Sequence, residues 1–84
     1  MKIRIRKSAI RDLKKIDRQQ KESLHLAIRN LENFPKVTNI KKLTNFEPAF
    51  RLKVGNYRIL FDISGNEIVI GRVLHRKNSY KSPG

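Results

Sequence analysis

Residues 50–61, Phe50-Arg51-Leu52-Lys53-Val54-Gly55-Asn56-Tyr57-Arg58-Ile59-Leu60-Phe61, carry the sharpest chemical pattern in the chain. Two β-like runs flank Gly55-Asn56, a pair suited to a two-residue turn of the primed kind. Such a loop sets Val54 against Tyr57, Lys53 against Arg58, Leu52 against Ile59, Arg51 against Leu60 and Phe50 against Phe61. Strand side chains alternate faces, so Phe50, Leu52, Val54, Tyr57, Ile59 and Phe61 share one face while Arg51, Lys53 and Arg58 share the other. Like charges placed directly opposite weaken a sheet by a few tenths to about 1 kcal/mol. A sequence shaped only for stability favours an opposite-charge or Thr–Thr pair there. Three cations on one small patch, with Asp62 the nearby acid, suit a bound phosphate. A solvated face whose repulsion is screened by salt is the plainer alternative.

A second turn signal, Gly65-Asn66, leads into another β-rich run, Glu67 to Leu74. A two-residue loop places Arg58 opposite Val73, with His75 on the same face one step further. It also sets Leu60 opposite Gly71, leaving a hollow for a base or ribose. The same register buries Arg72, and a bulge in this run would shift it. Arg76 and Tyr80 follow where the strand runs out.

The elements that must hold these residues are legible upstream. Lys2-Ile3-Arg4-Ile5-Arg6 alternates and reads as a short half-buried strand. Ser8 is placed to cap a helix with Ile10, Leu13 and Ile16 on one side. Asp17-x-x-Gln20 has the form of a capping box opening a second helix, with Leu24, Ala27, Ile28, Leu31 and Phe34 at three- and four-residue steps until Pro35. Residues 36–48 read as a connector. The order β-α-α-β-β-β predicts an α+β domain, a helical hairpin packed on a mainly antiparallel sheet, with 1–84 as a single domain.

Composition limits the function classes. Twenty Lys+Arg against seven Asp+Glu give a formal charge of +13 in 84 residues, and the sequence pI is about 10.9. That excess favours polyanionic partners, either nucleic acid or an acidic protein. A domain this short buries only ~60% of the surface its unfolded chain exposes, and with no cysteine it has no disulfide to help. No apolar run approaches a membrane span or a signal peptide, so a cytoplasmic location is expected.

Residues 50–61 and the ending Arg72-Val73-Leu74-His75-Arg76-Lys77-Asn78-Ser79-Tyr80 together resemble the two signature regions of the RelE/ParE toxin superfamily, RelE-like branch, and the element order matches along the whole chain. The resemblance implies a type II toxin that enters the ribosomal A site, cuts messenger RNA and is neutralised by a cognate antitoxin, which the charge predicts to be acidic. It implies phosphate-facing and catalytic roles for Arg51, Lys53, Arg58, Arg76 and Tyr80; Arg51 stands where the best-known pattern has lysine. No metal or other cofactor is implied.

In such a reaction the RNA 2′-hydroxyl attacks its own phosphate, and the protein must align the atoms, neutralise the phosphorane and manage two protons. Arg58 and Arg76 are assigned to the developing charge and Arg51, Arg58 and Lys77 to RNA binding, since guanidinium forks onto phosphate and stays charged. Two candidates remain for proton transfer. Lys53 would have its pKa lowered by its cationic neighbours and also binds RNA; His75 titrates near neutrality unaided. Glu47 in the connector is a remote third. Tyr80 either stacks on a base or pins the tail. His25 reads as a surface residue. Two other functions fit the same residues: a ParE-like toxin that poisons DNA gyrase, and a catalytically silent RNA- or ribosome-binding module.

Overall fold

The computed structural model describes residues 1–44 and 48–79, the last two by their backbone alone. Strand β1 (Lys2–Ile5) leads into α1 (Lys7–Lys14) and α2 (Arg18–Asn30), the latter ending in a 3-10 turn (Leu31–Asn33). The strands β2 (Ile40–Lys42), β3 (Phe50–Val54), β4 (Tyr57–Ser64) and β5 (Glu67–His75) follow, then one helical turn, α3 (Arg76–Ser79). The sheet order is β1-β5-β4-β3-β2. β1 runs parallel to β5 and every other pair is antiparallel. Two helices cover one face of this mixed sheet, giving the α+β arrangement predicted.

The helix-covered face holds the main core. Leu24, Ile28 and Leu31 from the second helical segment and Ala9 and Leu13 from α1 meet Leu52, Ile59, Phe61, Ile68, Ile70 and Val73. Phe50 stacks on Phe61 at 5.4 Å, and Phe34 sets its edge against both at 6.0 and 6.2 Å. These offset and edge contacts suit the ring quadrupoles. The inward spacing on α1 differs from the predicted stripe: Ala9 is buried, whereas Ile10 is 42% exposed.

The predicted caps are not made as hydrogen bonds. Arg6 occupies the first N-cap and Asp17 the second, neither with a side-chain bond. Ser8 instead donates its hydroxyl to Gly71 O at 2.6 Å. This bond belongs to a larger clasp. β1 pairs with β5 only as far as Ile70; beyond that point α1 lies along the β5 edge, and Asp12 Oδ2 accepts the Val73 amide at 2.9 Å. A side chain thus satisfies an edge amide that no strand reaches.

Residues 36–48 are not simply a connector, because Ile40–Lys42 pairs with β3. Three residues containing two lysines lack the apolar alternation that marks a strand; the pairing depends on the neighbour that β3 offers. Across the β3–β4 hairpin the register is the predicted one at all five pairs. Gly55 at φ 57° and Gly65 at φ 59° supply the positive φ that primed turns require.

In the β4–β5 hairpin the predicted register holds from Ser64↔Glu67 to Phe61↔Ile70 and then slips at a bulge between Leu60 and Phe61. Gly71 is the extra residue. Leu60 therefore faces Arg72, Arg58 faces Leu74 rather than Val73, and Tyr57 faces His75. Every side chain after Gly71 changes face relative to the unbulged expectation. The expected hollow at Gly71 is closed, since a Cβ there would stand 3.1 Å from Pro48 Cγ.

Candidate functional site

The second face of the sheet, away from the helical hairpin, carries two cationic rungs. One runs Lys41–Arg51–Leu60–Arg72 and the next runs Lys53–Arg58–Leu74. Neighbouring rungs on one face lie about 7 Å apart along a strand. Each rung begins with two cations directly across a ladder, Lys41 from Arg51 and Lys53 from Arg58. Arg51, Lys53 and Arg58 are legible from the hairpin sequence alone, whereas Lys41 joins the face only through β2. Its signal was the alternation Ile40-Lys41 running against Leu52-Arg51, visible only once the two segments are paired.

The four cations are held differently. Lys41 and Lys53 are exposed, and among the described residues neither enters an ion pair. Arg58 curls back on its own hairpin, with Nη1 donating to Tyr57 O at 3.0 Å and to Gly55 O at 3.3 Å. The Nε atoms of Arg51 and Arg58 are shielded from solvent. Shielding raises the value of any charge-assisted bond these guanidinium groups make to a phosphate. Asp62 shares this face but sits at its far end, where Oδ1 accepts the Ala49 amide at 2.6 Å.

Arg72 completes the first rung and is not available in the same way. Asp12 grips it through Nε at 2.7 Å and Nη2 at 3.1 Å. Those hydrogen bonds hold the guanidinium pKa above the ordinary arginine value, with burial opposing and the Asp12 charge assisting. Asp12, unnoticed in the sequence, therefore ties α1 to the bulge and neutralises the cation beside the site.

The chain end is brought back to the cationic hairpin. The Arg76 amide donates to Asn56 O at 2.6 Å, so α3 starts against the turn that follows Lys53 and precedes Arg58. Lys77 comes next in the same turn and is exposed. The Arg76 backbone thus starts at the hairpin end that carries Lys53 and Arg58.

His75 does not join them. The bulge pairs it with Tyr57 on the helix-covered side, where the two rings meet edge to face at 5.3 Å and 84°. It borders a cleft of about 290 Å³ that Asp12, Lys15 and Ile16 also line. The expectation that His75 shares the face of Arg58 is corrected by this one-residue slip. Tyr80 and Glu47 lie outside the described residues. His25 is exposed on α2, as read.

A basic small domain with helices on one sheet face and a phosphate-suited cationic patch on the other defines a class, and comparison with known proteins places it. Residues 3–80 match the family model of the ParE toxin of the type II toxin–antitoxin system parDE. Toxin RelE3 of Methanocaldococcus jannaschii is 33% identical over 84 residues, covering 95% of this chain and 96% of its own. The RelB–RelE antitoxin–toxin complex from Methanococcus jannaschii superposes with a TM-score of 0.75 at 32% identity, over 93% of this chain and 95% of that one. The toxin–antitoxin complex RelBE2 from Mycobacterium tuberculosis gives 0.76 at 30%, over 89% and 96%. The chain belongs to the RelE/ParE superfamily, and it is a RelE-like toxin of a type II toxin–antitoxin system. Among the described residues no helix is long and apolar enough to cross a membrane.

Proposed function

We propose that this toxin is an endoribonuclease that cuts messenger RNA in the ribosomal A site and so stops translation. The observation that carries the proposal is the opposed Lys53–Arg58 pair with the Arg76 backbone fastened to the same hairpin end. Such a pair weakens the fold unless an anion relieves it.

The chemistry follows from RNA itself. The 2′-hydroxyl attacks the adjacent phosphorus, the bond to the 5′-oxygen of the next nucleotide breaks, and a 2′,3′-cyclic phosphate remains. Arg58 and Arg76 neutralise the equatorial oxygens as charge grows. Arg51, Lys41 and Lys77 hold flanking phosphates. Lys53, on the face it shares with Arg58, takes the proton role left open between it and His75: its amine accepts the 2′-proton and then delivers one to the leaving oxygen. Tyr80 stacks on a base of the unpaired strand. The relative that bears a RelE name and the two RelE-type complexes support this branch.

A second reading is favoured by the ParE family model, namely a toxin that poisons DNA gyrase and cuts no RNA. Induced expression followed by mapping of messenger 5′ ends, beside a gyrase supercoiling assay, separates the two. New ends within reading frames and unaffected supercoiling support cleavage.

The partner is a cognate antitoxin, as in the two structural relatives, and a surface of +13 calls for an acidic one. β1, the terminal strand, offers Lys2–Ile5 as an edge for an added strand. Association that slows as salt rises, with the complex still stable, is the expected behaviour.

A further inference from the structure

We propose that His75 is a positioning residue that sets the backbone of Arg76, and that it moves no proton itself. The inference rests on the nuclease reading and changes the role of one residue within it. His75 Nδ1 accepts the backbone N–H of Lys77 at 3.2 Å. A neutral imidazole that accepts at Nδ1 carries its hydrogen on Nε2, so neither nitrogen has a lone pair left for a 2′-hydroxyl. The ring also lies on the helix-covered side, across the sheet from Lys53 and Arg58.

The same contacts give the residue a different task. The first amides of a helix have no carbonyl within that helix to meet, and a side chain just before it supplies one. Here two consecutive amides are engaged from outside α3. Arg76 N–H meets Asn56 O at 2.6 Å, and Lys77 N–H meets His75. Together they fix the direction of the backbone at Arg76. Tyr57 holds the imidazole edge to face at 5.3 Å and lends its own carbonyl to Arg58 Nη1. One tyrosine thus braces both arginines assigned to the phosphate.

The test compares two substitutions in the full chain. His75→Asn places an amide oxygen close to where Nδ1 stands and cannot titrate near neutrality. His75→Phe keeps a ring against Tyr57 and has no acceptor. Positioning predicts that His75→Phe lowers the maximal cleavage rate on programmed ribosomes by roughly 10²-fold, the scale of a misplaced group, with KM little changed. His75→Asn should rescue that loss. In parallel, hydrogen exchange at the Lys77 amide should be slow in wild type and His75→Asn and fast in His75→Phe, at similar melting temperatures. Loss of cleavage in His75→Asn equal to that in His75→Phe would overturn the proposal. Equal Lys77 exchange in wild type and His75→Phe would also overturn it. The exchange arm involves no RNA, so it decides the backbone role even if wild type cuts no messenger and the nuclease reading falls.

Discussion

Lys53 stands directly across the β3–β4 ladder from Arg58 on the sheet face away from the helical hairpin. Two cations in that relation repel most when no anion lies between them. Replacing Lys53 by glutamate turns repulsion into attraction, and the ladder should gain a few tenths to about 1 kcal/mol. For a domain of this size that is a rise of up to roughly 4–8 °C in melting temperature, largest at low salt. The same substitution should abolish messenger cleavage. Thermal melts at low and high salt check the first half, and a Lys53→Glu protein no more stable than wild type at low salt contradicts it.

Arg58→Ala and Arg76→Ala should each lower cleavage by about 10²–10³-fold, the usual loss when one donor to developing charge is removed. Circular dichroism should show both folded, since Arg76 is exposed and its tie to Asn56 runs through the backbone. Growth arrest on induction gives the same answer in cells. Two fully toxic variants would remove these residues from the site.

Lys41→Ala should behave differently, because a flanking phosphate contact is uniform in ground and transition states. Binding to single-stranded RNA should weaken for all sequences alike, and the salt dependence of affinity should flatten by about one charge. Titrations at several salt concentrations measure it. An unchanged slope would mean that the first rung, Lys41–Arg51, lies off the RNA path.

Asp12→Ala should cost about 1–3 kcal/mol, since it leaves both the Val73 amide and the Arg72 guanidinium without their acceptor. The pH behaviour has a definite sign. The folded state raises the Arg72 pKa, so the pair contributes fully below the ordinary arginine value and fades only as pH rises through the higher folded one. The melting difference between wild type and Asp12→Ala should therefore stay constant from neutrality to about pH 10. A difference that shrinks over that range contradicts the assignment.

The β3–β4 hairpin was readable because its β-run pattern and the Gly55-Asn56 loop leave one register, and Arg51, Lys53 and Arg58 follow from it. Three features were not readable, each for a physical reason. β2 is too short and too charged to show a period, so Lys41 stayed hidden until β3 was placed beside it. The bulge at Gly71 moves His75 to the other face, and its one cue was Arg72 standing at an inward position in an apolar run. The clasp of Ser8 and Asp12 onto residues 71–73 joins segments about sixty positions apart, where local capping rules expect Ser8 to serve its own helix. The site's cations were legible and the geometry that sorts them was tertiary.

The most direct test of the central claim uses purified toxin and ribosomes programmed with a short synthetic messenger, made with and without a single 2′-deoxynucleotide at the cut position. The account predicts a cut within the A-site codon that leaves a 2′,3′-cyclic phosphate on the all-RNA messenger, no cut at the deoxy position, and a cut slowed by about 10²–10³-fold with Arg58→Ala. An intact messenger, or a cut that survives loss of the 2′-hydroxyl, would contradict it.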